Sequence, residues 1–196
     1  MIKLKSIISE IADFGADVNT YMLGDRKVWP SKSTQVAHKT KNDLPEEVRK
    51  QSIDLLNQCL SCCIDLSMQS KQAHWNVKGP FFIGLHKLFD EVYEMADEFT
   101  DELAERCVEL GGNAQGTVQQ VGQHSKLPPY PLDISDGKDH VQALSTALST
   151  FGACVRESSN KAESFGDMDT MDLFTEVSRG VDKMLWFVEA HQQAKS

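Results

Sequence analysis

The sequence predicts an all-α fold, a bundle of four long helices in which one connection is far longer than the others. Apolar residues recur at helical spacing, most clearly at Leu85, Phe89, Val92, Ala96, Phe99 and Leu103. The periodic runs close at Gly79-Pro80, Gly111-Gly112 and Gly166, the residue types that end helices. A stretch with Pro128, Pro129 and Pro131 separates the second run from the third. A chain of 196 residues with 40% hydrophobic content can bury one sizeable core without splitting, so one domain (42–196) preceded by a tail (1–41) is expected.

The first helix is read from about Asp43 to Val77, opened by Asn42-Asp43-Leu44-Pro45-Glu46-Glu47 and stopped by Gly79-Pro80. The second runs from Gly84 to Leu110 with no proline and no internal glycine, and the short gap makes the two antiparallel. The connection from Gly111 to about Ser135 is long enough to cross the bundle and to hold a short helix of its own. The third helix runs from about Asp136 to Phe165, and the fourth from about Asp169 to His191, with Asp169 as its amino-terminal cap.

The second helix carries a polar stripe of His86, Asp90, Glu94, Asp97, Asp101 and Glu105. At about 100° per residue this stripe centres about 150° from the apolar one, so the acids face away from the core. Acids four apart repel by about 0.2 to 0.5 kcal/mol per pair, and something positive is expected beside them. An acid stripe alone is ordinarily a solvated helix face. Two imidazoles, His74 and His86, change that reading, because imidazole with carboxylate suits iron, manganese or zinc, whereas magnesium and calcium sites use oxygen alone.

These residues carry a family resemblance. His74-Trp75-Asn76-Val77-x-Gly79-Pro80, then Phe82, His86, Asp90, Asp101 and Ala104-Glu105-Arg106, resemble the Dps family (DNA-binding protein from starved cells), the miniferritins. The likeness continues through Leu110-Gly111-Gly112, Tyr130-Pro131-Leu132-Asp133 and Asp182-Lys183-x-Leu185-Trp186-Phe187, and so spans about Asp43 to His191. It implies a ferritin-like four-helix subunit, with the long connection between the second and third helices, in a shell of twelve copies that oxidises Fe(II) and stores Fe(III) mineral. A ferritin or bacterioferritin with its di-iron site inside the bundle needs two Glu-x-x-His pairs, and this chain has none.

The resemblance also implies a ferroxidase centre between subunits, with two iron positions. His74, His86 and Asp90 come from one subunit and Asp101 and Glu105 from its neighbour, which agrees with a stripe that points away from its own core. Neutral imidazoles suit Fe(II), and Asp90 and Glu105 supply anionic oxygen for Fe(III). Asp101 adds charge for a second, weaker position or orients a ligand histidine. The implied oxidant is hydrogen peroxide, or more slowly dioxygen. Trp75 adjoins the centre, either as packing at a subunit contact or as an electron donor. All five ligand positions are filled, which disfavours a helical scaffold that has lost the chemistry. Asp167, Asp169 and Asp172 cluster at the turn before the fourth helix, where the family has acid-lined pores for cations, although helix capping and first-turn charge also account for Asp169 and Asp172.

No apolar run is long enough to span a bilayer, and the first residues lack the apolar stretch of an export signal, so a cytoplasmic protein with reduced thiols is expected. Cys59, Cys62 and Cys63 are read as core packing, since nothing completes a thiolate metal set.

Net charge is -9, a poor surface for nucleic acid. Residues 1–41, however, hold seven basic residues against four acids, a net +3, leaving -12 for the rest. Arg26, Lys27, Lys32, Lys39 and Lys41 stand against Asp25 alone between Gly24 and Lys41, a stretch read as a mobile basic arm that binds DNA by repetition around a shell. The rival functional reading is therefore a non-specific DNA-binding, nucleoid-compacting protein. Ile2 to Leu23 lies outside the family pattern, and Leu4, Ile7, Ile8, Ile11 and Phe14 approximate an amphipathic helix that docks on its own shell.

Overall fold

The computed structural model describes residues 21–23, 26–28 and 36–193, with side chains from residue 36 onward, and divides into two units, 1–32 and 33–196. In the first unit, β1 (Tyr21–Leu23) and β2 (Arg26–Val28) pair antiparallel, with Tyr21 opposite Val28 and Leu23 opposite Arg26. The intervening Gly24-Asp25 is a two-residue hairpin signal. Arg26 and Lys27 therefore lie on a paired strand rather than in an unstructured arm. Leu4, Ile7, Ile8, Ile11 and Phe14, the residues expected to form an amphipathic helix within Ile2 to Leu23, lie outside the described residues, as does Lys32.

The second unit is helical: α1 (Glu46–Asn76), α2 (Phe82–Glu109), the short α3 (Val118–His124), α4 (Gly137–Phe165) and α5 (Met168–Gln193). α1 begins later than Asp43 because the residue before a proline is pushed out of the helical region; Asn42 Oδ1 instead accepts the Leu44 N–H at 3.0 Å, and Pro45 is the cap. Glu46 and Glu47 follow in the first turn and pair with Lys50.

α1 packs against α2 and α4, and α5 against α4 and α2, so α2 and α4 stand across the diagonal. That diagonal is why the α2–α4 connection must be long, and α3 sits within it against α1. Side chains of α1 hold the connection down: Gln58 donates to His124 O at 2.8 Å, Gln69 to Pro128 O at 3.0 Å, and Asp65 accepts from Ser125 Oγ at 2.5 Å. The core runs the length of the bundle through Leu56, Leu60, Leu66, Phe89, Val92, Leu148, Phe151, Phe174 and Val181, all buried. Cys59, Cys62 and Cys63 lie among these residues.

The α4–α5 turn corrects the expected cap. α5 starts at Met168, which places Asp169 inside the first turn. Asp167 does the capping: its Oδ1 accepts the Thr170 N–H at 3.1 Å and its Oδ2 accepts the Thr170 hydroxyl at 2.7 Å. Gly166, at φ +90°, closes α4 in the left-handed conformation.

The segment before α1 is also tied down. Gly111 O accepts the N–H groups of Ala37 and His38 at 2.8 and 3.0 Å, and Val36 packs on the core. Gly111 has φ +85°, and a Cβ there would lie 2.6 Å from His38 O, so glycine suits this position on two counts. The carboxyl end of the expected mobile arm is thus fastened to the end of α2.

Candidate metal centre

The turn between α1 and α2 brings His74, in the last turn of α1, against His86, in the second turn of α2. The two rings stack with centroids 3.6 Å apart and planes at 21°. Each ring bonds the other residue's main chain: His74 Nδ1 to His86 O at 2.7 Å, and His86 Nδ1 to His74 O at 2.8 Å. A carbonyl oxygen can only accept, so both Nδ1 atoms carry hydrogen. In the neutral form each Nε2 then keeps its lone pair, the state a metal-ligating histidine needs. Phe82 lies beside His86 with ring centroids 5.1 Å apart.

Asp90 is one turn beyond His86, and Lys71 one turn before His74. Lys71 Nζ donates to Asp90 Oδ1 and sits 4.2 Å from the centroid of the Tyr93 ring. The same Asp90 oxygen is 3.9 Å from His74 Nδ1. The hydrogen bond from Lys71 and its charge hold the Asp90 carboxyl below the ordinary carboxylate range, against a smaller desolvation effect. Lys71 and Tyr93 escaped the sequence reading, although Lys71 stands at i-3 from His74 and Tyr93 at i+3 from Asp90, on the same helix faces.

Asp101 and Glu105 are exposed on the same helix, and a rise of 1.5 Å per residue puts Asp101 about 17 Å from Asp90 along the axis. One chain therefore brings His74, His86 and Asp90 together and leaves Asp101 and Glu105 apart from them. Among the described residues no three His, Cys, Asp or Glu side chains form a metal cage. Around the histidines the surface is apolar: Trp75 is 62% exposed, Phe81 68% and Ile83 61%. Farther along α2, Ala104, Val108 and Ala114 line a shallow groove of about 440 Å³ together with Glu105 and Glu109.

The three acids at the α4–α5 turn separate into two kinds. Asp167 is buried and accepts from Ser52 Oγ at 2.5 Å, from Thr170, and from Arg106 Nη2 at 3.1 Å. Burial alone pushes its carboxyl up, but the Ser52 and Thr170 hydrogen bonds and the Arg106 charge together outweigh it and hold the pKa below the usual range. Asp169 and Asp172 are exposed.

All five cysteines are free thiols. Burial pushes Cys63 up to about 12 and Cys107 up to about 11, which leaves them un-ionised at neutral pH. No described helix is long and apolar enough to cross a membrane.

The ferritin-like domain family matches residues 53–195. The chain is similar to the DNA protection during starvation protein of Agrobacterium fabrum, 45% identical over 159 residues that cover 81% of this chain and 98% of that protein. Its namesake in Mycolicibacterium smegmatis is 33% identical over 72% of this chain and 76% of its own length. Among solved structures, the tetragonal form of Mycobacterium smegmatis Dps superposes with a TM-score of 0.76 at 31% identity, covering 80% of this chain and 95% of that one. DpsC from Streptomyces coelicolor does so at 0.78 and 26% identity, covering 85% and 98%.

Proposed function

This chain belongs to the Dps family of ferritin-like proteins, and from that premise we propose that it is a miniferritin ferroxidase. It oxidises Fe(II), preferably with hydrogen peroxide, at sites shared between subunits, stores the ferric product inside a dodecameric shell, and so protects DNA from oxidative damage. The observation that carries this reading is the reciprocal bonding of His74 and His86, which engages both Nδ1 atoms and leaves both Nε2 lone pairs of the neutral rings for a metal, with Asp90 Oδ1 3.9 Å from His74 Nδ1.

Fe(II) is the substrate. His74, His86 and Asp90 of one subunit hold it with Asp101 and Glu105 of the partner subunit, which supply the charge that a single chain leaves about 17 Å away. Two Fe(II) ions give one electron each to peroxide, the O–O bond breaks, and both oxygens reach the oxidation level of water. Pairing the two electrons avoids release of hydroxyl radical. The exposed apolar ridge of Trp75, Phe81 and Ile83 supports a contact here, since apolar clusters beside a polar site mark interfaces. Trp75 packs at that contact and is placed to donate an electron to a reactive oxidant. Asp169, in the first turn of α5, and Asp172, one turn on, are exposed and are assigned, with the buried Asp167, to a pore through which cations reach the interior. Reduced thiols fit a cytoplasmic setting.

A second reading, that the chain acts mainly by compacting DNA, draws on Arg26, Lys27, Lys32, Lys39 and Lys41, of which Lys39 and Lys41 are exposed. Within the ferroxidase reading the same residues give weak, salt-sensitive, sequence-independent binding. Anaerobic titration with Fe(II), followed by peroxide and monitored by ferric absorbance, separates the readings. A saturable, peroxide-dependent step is expected, and its absence would leave only the DNA-compacting role.

A further inference from the structure

We propose that Cys62 and Cys154 are an oxidisable thiol pair, which hydrogen peroxide converts to a disulfide that ties α1 to α4. The proposal is independent of the iron-site reading. Its basis is the register of the two helices and the way the connection between α2 and α4 reaches the pair.

Three contacts run in opposite order along the chain and make α1 and α4 antiparallel. Ser52 Oγ donates to Asp167, just past the end of α4, Cys59 Sγ donates to Ser158 Oγ at 3.3 Å, and the Lys78 N–H donates to Ser135 O at 2.9 Å, just before α4 begins. From the Cys59–Ser158 contact, about one turn forward on α1 is Cys62 and about one turn back on α4 is Cys154. There the Cys154 thiol hydrogen-bonds with the thiols of both Cys62 and Cys59. Cys62 is buried and Cys154 is partly exposed, so peroxide reaches Cys154 first. From the connection, the Lys126 N–H donates to Cys62 Sγ at 3.4 Å, and the Lys126 charge favours a thiolate at Cys154.

The chemistry balances in two steps. The Cys154 sulfur attacks a peroxide oxygen, the O–O bond breaks, and a sulfenic acid forms with release of one water. Cys62 then attacks the Cys154 sulfur, the S–OH bond breaks, and the hydroxide leaves with the Cys62 proton as a second water. The two thiols lose two electrons and two protons, and peroxide gains them. The hydrogen bond with Cys59, together with burial, holds Cys154 up to about 11 against the opposing effects of Cys62 and Lys126. The thiolate fraction at neutral pH is therefore small, and the pair responds slowly, to sustained peroxide.

The test exposes the assembled, full-length, chelator-treated protein to hydrogen peroxide without iron, then counts free thiols after denaturation and maps the peptides without reduction. Free thiols should fall from five per subunit to three, with one linked peptide pair, Cys62 to Cys154, that a thiol reductant separates. C59S should form the same link. C62S should form none and stop at a Cys154 sulfenic acid, which dimedone captures. Wild-type protein that keeps all five thiols, or that links a different pair, overturns the proposal whether or not the variants fold. A disulfide to Cys154 formed in full yield by C62S removes Cys62 as the partner and overturns it equally.

Discussion

His74 and His86 each donate their ring Nδ1–H to the other's main-chain carbonyl, at 2.7 and 2.8 Å, so neither imidazole can turn without breaking the joint between α1 and α2. The bundle itself thereby fixes the direction of both rings. His86→Ala combined with Asp90→Ala removes two of the proposed ligands and leaves the core-facing stripe of α2 untouched. The initial rate of peroxide-dependent Fe(II) oxidation should fall by more than about 100-fold, beyond what loss of an outer-shell partner alone costs. Wild-type rates in a correctly assembled double variant would remove these residues from the site.

Asp167 should matter for stability before anything else. Asp167→Ala leaves the Ser52 and Thr170 hydroxyls without their acceptor and takes one partner from Arg106, which keeps Glu109, at a cost of about 1 to 3 kcal/mol in denaturant unfolding. The pH dependence has a definite sign. A carboxyl held below its unfolded value stabilises the fold above that value, and the contribution is lost as pH falls through the folded pKa. Asp167→Asn should therefore show a shallower loss of stability than wild type below about pH 4.

His140 gives a second pH signature. It is 1% exposed, and its Nδ1 is 2.7 Å from the Tyr130 hydroxyl. Burial lowers its pKa, only partly offset by the Asn76 carbonyl and by Asp139 and Asp136. A histidine with a folded pKa below the unfolded value is kept neutral in the fold, so the unfolded chain takes the proton and stability drops as pH falls below about 6.5. Thermal midpoints at about pH 7.5 and about pH 5.5 should differ less in His140→Gln than in wild type. An unchanged difference would assign the effect to another group.

The basic segment is tested without cutting the chain, because Ala37 and His38 are bonded to Gly111. Changing Arg26, Lys27, Lys32, Lys39 and Lys41 to glutamine in the full-length protein should abolish retardation of duplex DNA in low-salt gels. Iron oxidation should remain. Wild-type retardation should itself fade between about 50 and 200 mM salt as counterion release weakens. Retention of DNA by the neutralised variant would place the contact on the acidic shell.

Much of this was legible in the sequence, for identifiable reasons. α2 carries period and punctuation without interruption, so its two stripes were readable to within a residue or two at each end. The α4–α5 turn was harder, because Asp167 and Asp169 flank the start of α5 and both are cap residues. The hydroxyl of Thr170, three residues after Asp167, was the signal that decides between them. The burial of Asp167 was not readable, since its partners Ser52 and Arg106 lie 115 and 61 residues away. Lys71 was readable in principle from its spacing, but only once Asp90 was known to face α1.

The central claim is that one iron site is built by two subunits, and mixed assembly tests it most directly. Subunits carrying His74→Ala are dissociated, combined with subunits carrying Glu105→Ala, and reassembled, and peroxide-dependent Fe(II) oxidation is compared with each unmixed variant. In a twofold pair of unlike subunits one of the two sites keeps every ligand, so random mixing should restore about a quarter of wild-type sites. The account predicts that the mixed shells regain activity while both parents stay inactive. Mixed shells as inactive as their parents would contradict it and place the chemistry within a single chain.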